Sequence, residues 1–233
     1  MGSRIVLSAI LVTLLSAVGC GSGATLPRTS VPPQPTVSGP NEFSKFGFTW
    51  VKHQSKAPGS GSFLCANATV SGSNLILTLD GLTLSGAEVA TVTPLSFGTY
   101  TFTFFQDTVE SGSVASGFLY STNSVTEIDV EQQGQYSGRW DFTNWQTTSN
   151  TQTSDVTGYD ASKPHKLEII WEPTYITWYI DGIQVAYHTQ YVPQQPAPFL
   201  FSFWTTNSTT WGGRGTPTTR RMIVTGFDYT GNS

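Results

Sequence analysis

Charge is scarce in this sequence. Asp and Glu total 15 and Lys and Arg total 11 in 233 residues, a formal net charge of −4. So few cations on an acidic chain leave no basic footprint for nucleic acid. The three histidines, His53, His165 and His188, are scattered without metal-ligand spacing. No phosphate-binding loop, dinucleotide fingerprint or G-x-S-x-G elbow is present. Only two cysteines occur, Cys20 and Cys65. Two cannot build a disulfide framework, and with Cys20 assigned to a targeting signal, Cys65 is expected to be unpaired. Past the N-terminus no stretch has a convincing helical period, which excludes a helical bundle.

The chain does contain Gly, Pro, Ser, Thr and aromatics, the composition of strands and turns. Arg4 followed by the apolar run Ile5 to Leu15 reads as a signal peptide over residues 1–19, too short to span a bilayer as a helix. Ala17-Val18-Gly19-Cys20 resembles a bacterial lipobox, which predicts lipidation of Cys20 and export to the cell envelope, or secretion. Residues 20–40 are rich in Gly, Ser and Pro and read as a flexible tether. The folded unit is expected over residues 41–233, as a single monomeric domain.

Within that unit, short apolar runs alternate with turn residues. Phe46, Phe48 and Trp50 alternate as a strand, and Asn74 to Leu79 is another. From Phe97 to Phe104 aromatics alternate strictly with threonine. Arg139 to Gln146 alternates again, His165 to Trp171 and Phe199 to Trp204 read as strands, and Met222 to Tyr229 closes the chain. Asp181-Gly182 is the strongest hairpin signal, joining Tyr175–Ile180 to Ile183–Tyr187. Residues 147–158 read as a long Thr/Ser/Asn loop. Turns recurring every 8–12 residues predict an all-β sandwich of two antiparallel sheets. Trp50, Trp171 and Trp178 are assigned to its core, and His165 to a structural hydrogen bond.

One segment stands apart: Glu127-Ile128-Asp129-Val130-Glu131. As a strand it sends Glu127, Asp129 and Glu131 to one face, and Ile128 and Val130 into the core. Like charges on one strand face repel, so local stability gains nothing from them. An acidic edge strand that discourages aggregation would need fewer. Residues four apart on a strand have Cα atoms roughly 13 Å apart, and two glutamates leaning together could bring their carboxyls to about 5–5.5 Å, the separation of a retaining glycosidase. One would attack the anomeric carbon while the other, kept protonated by crowding, donates to the leaving oxygen. The following Arg139–Gln146 strand is expected to pair antiparallel with this one through Gln135 to Gly138.

This segment matches E-[IL]-D-x-E, and the chain resembles glycoside hydrolase family 16, the β-jelly-roll family of lichenases, laminarinases and xyloglucan-active enzymes. Gly86-Ala87-Glu88-Val89, Phe97-Gly98-Thr99-Tyr100, Phe142-Thr143-Asn144-Trp145, the run from His165 to Gly182, and Phe203-Trp204 with Trp211-Gly212-Gly213 stand in the family's order. The resemblance covers roughly residues 43–230. It implies a jelly-roll fold of the concanavalin A-like kind and endo-acting, retaining cleavage of a β-glucan, with β-1,3-1,4-glucan as the first substrate. Glu127 would be the nucleophile, Glu131 the acid/base and Asp129 the assisting carboxylate. Glu88, Asn144, Trp145, Trp204 and Trp211 would contact the polysaccharide. No cofactor is required, and Asp228 stands where such proteins hold a structural calcium. Ala90 replaces an expected arginine, Val125-Thr126 a Trp-Asp pair, and Ser202 an asparagine; these changes touch subsites rather than chemistry. A non-catalytic lectin-like sandwich and a transglycosylase are the alternatives.

Overall fold

The computed structural model describes residues 18–19, 41–122, 126–136 and 138–232. The lipidation assignment to Cys20, and all of the leader and tether except Val18–Gly19, fall outside them. The strands in chain order are β1 (Val18–Gly19), β2 (Glu42–Lys45), β3 (Phe48–Lys56), β4 (Ser62–Phe63), β5 (Ala68–Ser71) and β6 (Asn74–Leu79). Next come β7 (Ser85–Thr91), β8 (Gly98–Gln106), β9 (Ser113–Ser121), β10 (Thr126–Gln133), β11 (Trp140–Trp145) and β12 (Thr151–Val156). The chain ends with β13 (His165–Glu172), β14 (Tyr175–Ile180), β15 (Ile183–His188), β16 (Phe199–Thr205) and β17 (Arg220–Gly231).

Two sheets form. The larger runs β1-β3-β4-β7-β16-β9-β10-β11-β12, with β2 added on β3, and the smaller runs β15-β14-β13-β8-β17-β6-β5. This is the expected jelly-roll sandwich. Its core follows from the alternation seen in the sequence. On β8, Tyr100, Phe102 and Phe104 are buried, while the intervening threonines face outward. They meet the inward residues of the other sheet: the Phe102 ring lies 5.1 Å from Phe199, and Phe104 lies 5.5 Å from Trp140. Each such ring contributes about 2 kcal/mol or more of burial free energy.

Gly117 on β9 is required by this packing. A Cβ there would sit 2.6 Å from the Phe102 ring. On one flank Gly117 pairs with Val130 of β10 and on the other with Phe201 of β16. The ring from the opposite sheet therefore fills the space beneath the acidic strand. Asp181 and Gly182 take φ values of 51° and 81°, the paired left-handed conformation of a two-residue hairpin turn.

Some expectations are corrected. Residues 147–158 are not wholly loop, because β12 forms there and pairs along its length with β11. Phe46 lies in the turn between β2 and β3 rather than in a strand, with a φ of 53°. Cys65 is not an unpaired thiol but is disulfide-bonded.

Candidate active site

Strand β10 lies inside the larger sheet, paired with β9 and β11 along its length. Ile128 and Val130 are buried in the core. The carboxyl groups of Glu127, Asp129 and Glu131 therefore occupy the outer face, as the alternation predicts. Glu127 and Glu131 are half-buried, and Asp129 between them is buried.

The register builds three rows across that face. Glu127 lies between Tyr120 of β9 and Trp145 of β11. Asp129 lies between Phe118 and Thr143. Glu131 lies between Ser116 and Asp141, and its row continues through Ser202 to Glu88 on one side and to Asp155 on the other. Tyr120, Phe118 and Trp145 are half-buried and present ring surface beside the carboxylates, the amphipathic surface that suits a sugar ring.

Burial pushes the Glu127 carboxyl up to about 7. Glu131 is pushed up to about 8, by burial first and then by the charges of Asp141 and Glu127. Asp129 rises by burial and by its two glutamate neighbours, against a lowering hydrogen bond from Trp145. Three acidic groups share a small surface with no cation bonded to them among the described residues, so each resists losing its proton while the others are charged.

The remaining candidates divide. Glu88 is on the same face, half-buried, and its Oε1 lies 2.8 Å from His53 Nδ1 on neighbouring β3. Trp145 stands beside Glu127. Trp211 is half-buried on the loop after β16, tilted against Trp204 with ring centroids 5.9 Å apart. Trp204 projects toward the same side but is buried under Trp211 with Phe63, Ala57 and Val114, so it supports a wall rather than offering a platform. Asn144 is corrected outright. It sits opposite Ile128 on the core side of β11, fully buried. Its amide donates to the Gln190 and Tyr191 carbonyls at 2.9 and 2.8 Å, and its oxygen meets His188. Asp228 is exposed on β17 of the smaller sheet, and no group of three or more His, Cys, Asp or Glu side chains able to hold a metal exists among the described residues.

Sequence reasoning missed Asp141, Arg139, Gln133, Tyr120 and His53. The signal was available for Asp141: pairing β11 against β10 places residues 141, 143 and 145 on the carboxylate face. Asp141 is buried and accepts hydrogen bonds from Arg139 Nε at 2.9 Å, from Trp211 Nε1 at 3.2 Å and from the Gln133 side-chain amide.

An all-β sandwich whose larger sheet carries a carboxylate triad on its outer face, flanked by aromatics, defines a carbohydrate-active class. The model of glycosyl hydrolases family 16 matches residues 61–222, and the chain belongs to that family. A β-glucanase of Acetivibrio thermocellus is 28% identical over 151 residues, 60% of this chain and 45% of that protein. A xylanase/β-glucanase of Ruminococcus flavefaciens is 31% identical over 127 residues, 52% of this chain and 16% of that protein. The chain thus spans less than half the length of either relative. The β-glucanase structure from Bacillus licheniformis superposes with a TM-score of 0.73 at 21% identity, covering 84% of this chain and 95% of that one, and it shares the fold.

Proposed function

We propose that this protein is an endo-acting retaining glycosidase of β-glucan, with residues 41–233 as the catalytic unit. One observation carries the reading: Glu127 and Glu131 share an outer face two residues either side of Asp129, flanked by half-buried aromatic rings. A binding protein needs the rings but not a crowded carboxylate pair.

In the proposed first step, Glu127 attacks the anomeric carbon as the carboxylate. The glycosidic C–O bond breaks, and Glu131 gives its proton to the departing oxygen. In the second step Glu131, now the carboxylate, takes a proton from water. The water oxygen displaces Glu127 from the anomeric carbon, and configuration is retained. The raised proton affinity of Glu131, from burial and then the charges of Asp141 and Glu127, suits an acid. Asp129, hydrogen-bonded to Trp145, steadies the pair from between. The names of the Acetivibrio and Bacillus relatives favour β-glucan, and mixed-linkage β-1,3-1,4-glucan is the substrate proposed first. The disulfide at Cys65 fits an oxidising compartment and so supports export.

The test is turnover of barley mixed-linkage glucan, read as new reducing ends, with NMR of the first-formed anomer. Glu127→Gln and Glu131→Gln are each expected to lose activity by two or more orders of magnitude while the circular dichroism spectrum is kept. Near-normal turnover by either variant, or an inverted product, overturns the reading.

A further inference from the structure

Asp141 faces Glu131 directly across the β10–β11 pair. Every side-chain hydrogen bond it makes in the structure is one it accepts. Arg139 Nε donates to Oδ1 at 2.9 Å, while Trp211 Nε1, at 3.2 Å, and the Gln133 amide donate to Oδ2. Gln133 is itself held, because its Oε1 accepts from Gly212 N at 3.0 Å. The Asp141 side chain is only 4% exposed, that of Arg139 31%. A carboxylate fixed by three donors in a buried position does not swing away when its neighbour changes charge. Its opposite number on the strand pair is the group that has to hold a proton.

We propose that Asp141 is a positioning residue for the acid/base: its fixed carboxylate keeps Glu131 protonated until the leaving oxygen arrives, and the same carboxylate anchors Trp211 beside the site. The inference rests on the reading of Glu131 as the acid/base.

The other groups around Glu131 leave Asp141 a distinct part. On its own strand stand Glu127 and Asp129. Ser116 on β9 is uncharged. On β12, Asp155 lies 3.8 Å from the outer Arg139 nitrogen and is partly neutralised by it. Glu88 and His53 pair with one another farther along the row, on β7 and β3. Asp141 is the carboxylate nearest in register that does not belong to the proposed triad. The charge of Asp141 accordingly acts on Glu131 before that of Glu127. Arg139 opposes it, so the pair Arg139–Asp141 sets the strength of the push.

The experiment is the pH profile of kcat/KM on barley mixed-linkage glucan, whose basic limb reports the acid of the free enzyme. Asp141→Asn is expected to move the basic limb down by about one pH unit, since it removes a neighbouring like charge and leaves Arg139 unopposed. Arg139→Gln keeps the carboxylate and frees its charge, so the limb is expected to move up. The opposite signs are the signature, because a merely structural residue lowers the whole profile without moving its limbs. Arg139→Gln also reads the coupling independently if Asp141→Asn fails to fold. A basic limb that stays in place in both variants, or moves the same way in both, overturns the inference. Glu131→Ala tests the reading beneath it: this variant must lose polysaccharide turnover, and on a dinitrophenyl β-glucan oligosaccharide, whose phenolate leaves without a proton, added azide must restore turnover as the glycosyl azide. Failure there removes the acid/base assignment itself, whereas unmoved limbs with an inactive, azide-rescued Glu131→Ala remove only the role of Asp141.

Discussion

His188 and Asn144 fix each other's orientation at the edge where the two sheets meet. The Asn144 amide nitrogen is committed to the Gln190 and Tyr191 carbonyls, so its oxygen is the acceptor for His188 Nδ1 at 2.7 Å. Nδ1 therefore carries the proton, and Nε2 is left to accept from Ser154 Oγ at 2.8 Å. The imidazole is buried and packs edge-on against Trp178, ring centroids 4.7 Å apart. Ser154 belongs to the larger sheet and His188 to the smaller, so this chain of bonds ties the layers together.

Burial pushes the His188 imidazole down to about 4 from its ordinary 6.5. Between those values the unfolded chain takes up a proton that the folded protein refuses. Stability should be unaffected by this group above about pH 6.5 and should fall as pH drops from there toward 4. Thermal unfolding followed across that range is expected to show the decline, with a shallower one in His188→Gln. An equal slope in the variant would remove His188 as its source.

The carboxylate face carries the opposite sign. Glu131 is raised from 4.5 to about 8, so between those values the unfolded chain has released a proton that the folded protein keeps. Its contribution to stability is therefore lost as pH rises from about 4.5 to 8. Glu131→Gln cannot ionise and should melt at a higher temperature than the parent at pH 8, the difference shrinking toward pH 4. Matching melting curves at pH 8 would mean the site is not under this strain.

Trp145 offers two separable contributions, ring surface beside Glu127 and a hydrogen bond to Asp129. Trp145→Phe keeps a ring and loses the donor, so kcat on mixed-linkage glucan is expected to fall by roughly three- to tenfold, the worth of a buried hydrogen bond, with KM little changed. Trp145→Ala should raise KM as well. A KM effect alone in the phenylalanine variant would show that the bond to Asp129 does not matter for turnover.

The disulfide at Cys65 predicts that the oxidised protein has no thiol to label with iodoacetamide until it is reduced. The only other cysteine in the sequence is Cys20. A bond within the chain and a lipid thioether at Cys20 exclude one another. Peptide mapping without reductant is expected to find Cys65 joined to a cysteine peptide. Cys65→Ser should lower stability by about 2–4 kcal/mol. A freely alkylated Cys65 would remove the disulfide and leave Cys20 open to lipidation.

Legibility from sequence followed contrast between the two faces of each strand. From Thr99 to Phe104 on β8 and from Glu127 to Glu131 on β10 one face is apolar or aromatic and the other polar, so period two gave the orientation of these residues, including the carboxylates. The Asp181-Gly182 turn announced itself because few residue pairs tolerate two positive φ values. On β11 each face mixes types: Trp140, Phe142 and Asn144 look inward, Asp141, Thr143 and Trp145 outward. There the motif resemblance drew attention to Asn144, although counting in twos from Phe142 would have turned it inward. Strand β12 is polar on both faces and shows no alternation, because it is an edge strand held by backbone pairing to β11. Trp204 was placed on the correct side, but its burial depends on the loop carrying Trp211, a tertiary contact that no local pattern encodes.

Strand β10 is zipped on both flanks, with Glu127 to Gln132 paired simultaneously to Tyr120–Ala115 and to Trp145–Trp140. A slip by one residue would drive three acidic groups among Phe142, Leu119 and Trp178 while ejecting Ile128 and Val130. The Glu127–Glu131 pair is therefore held by a strand that is paired on both flanks. Neighbouring side chains such as Tyr120, Thr143 and Ala90 face outward and can be exchanged without disturbing that arrangement. Under the proposed function, a scaffold so divided can diversify its choice of polysaccharide while keeping the proposed acid and nucleophile still.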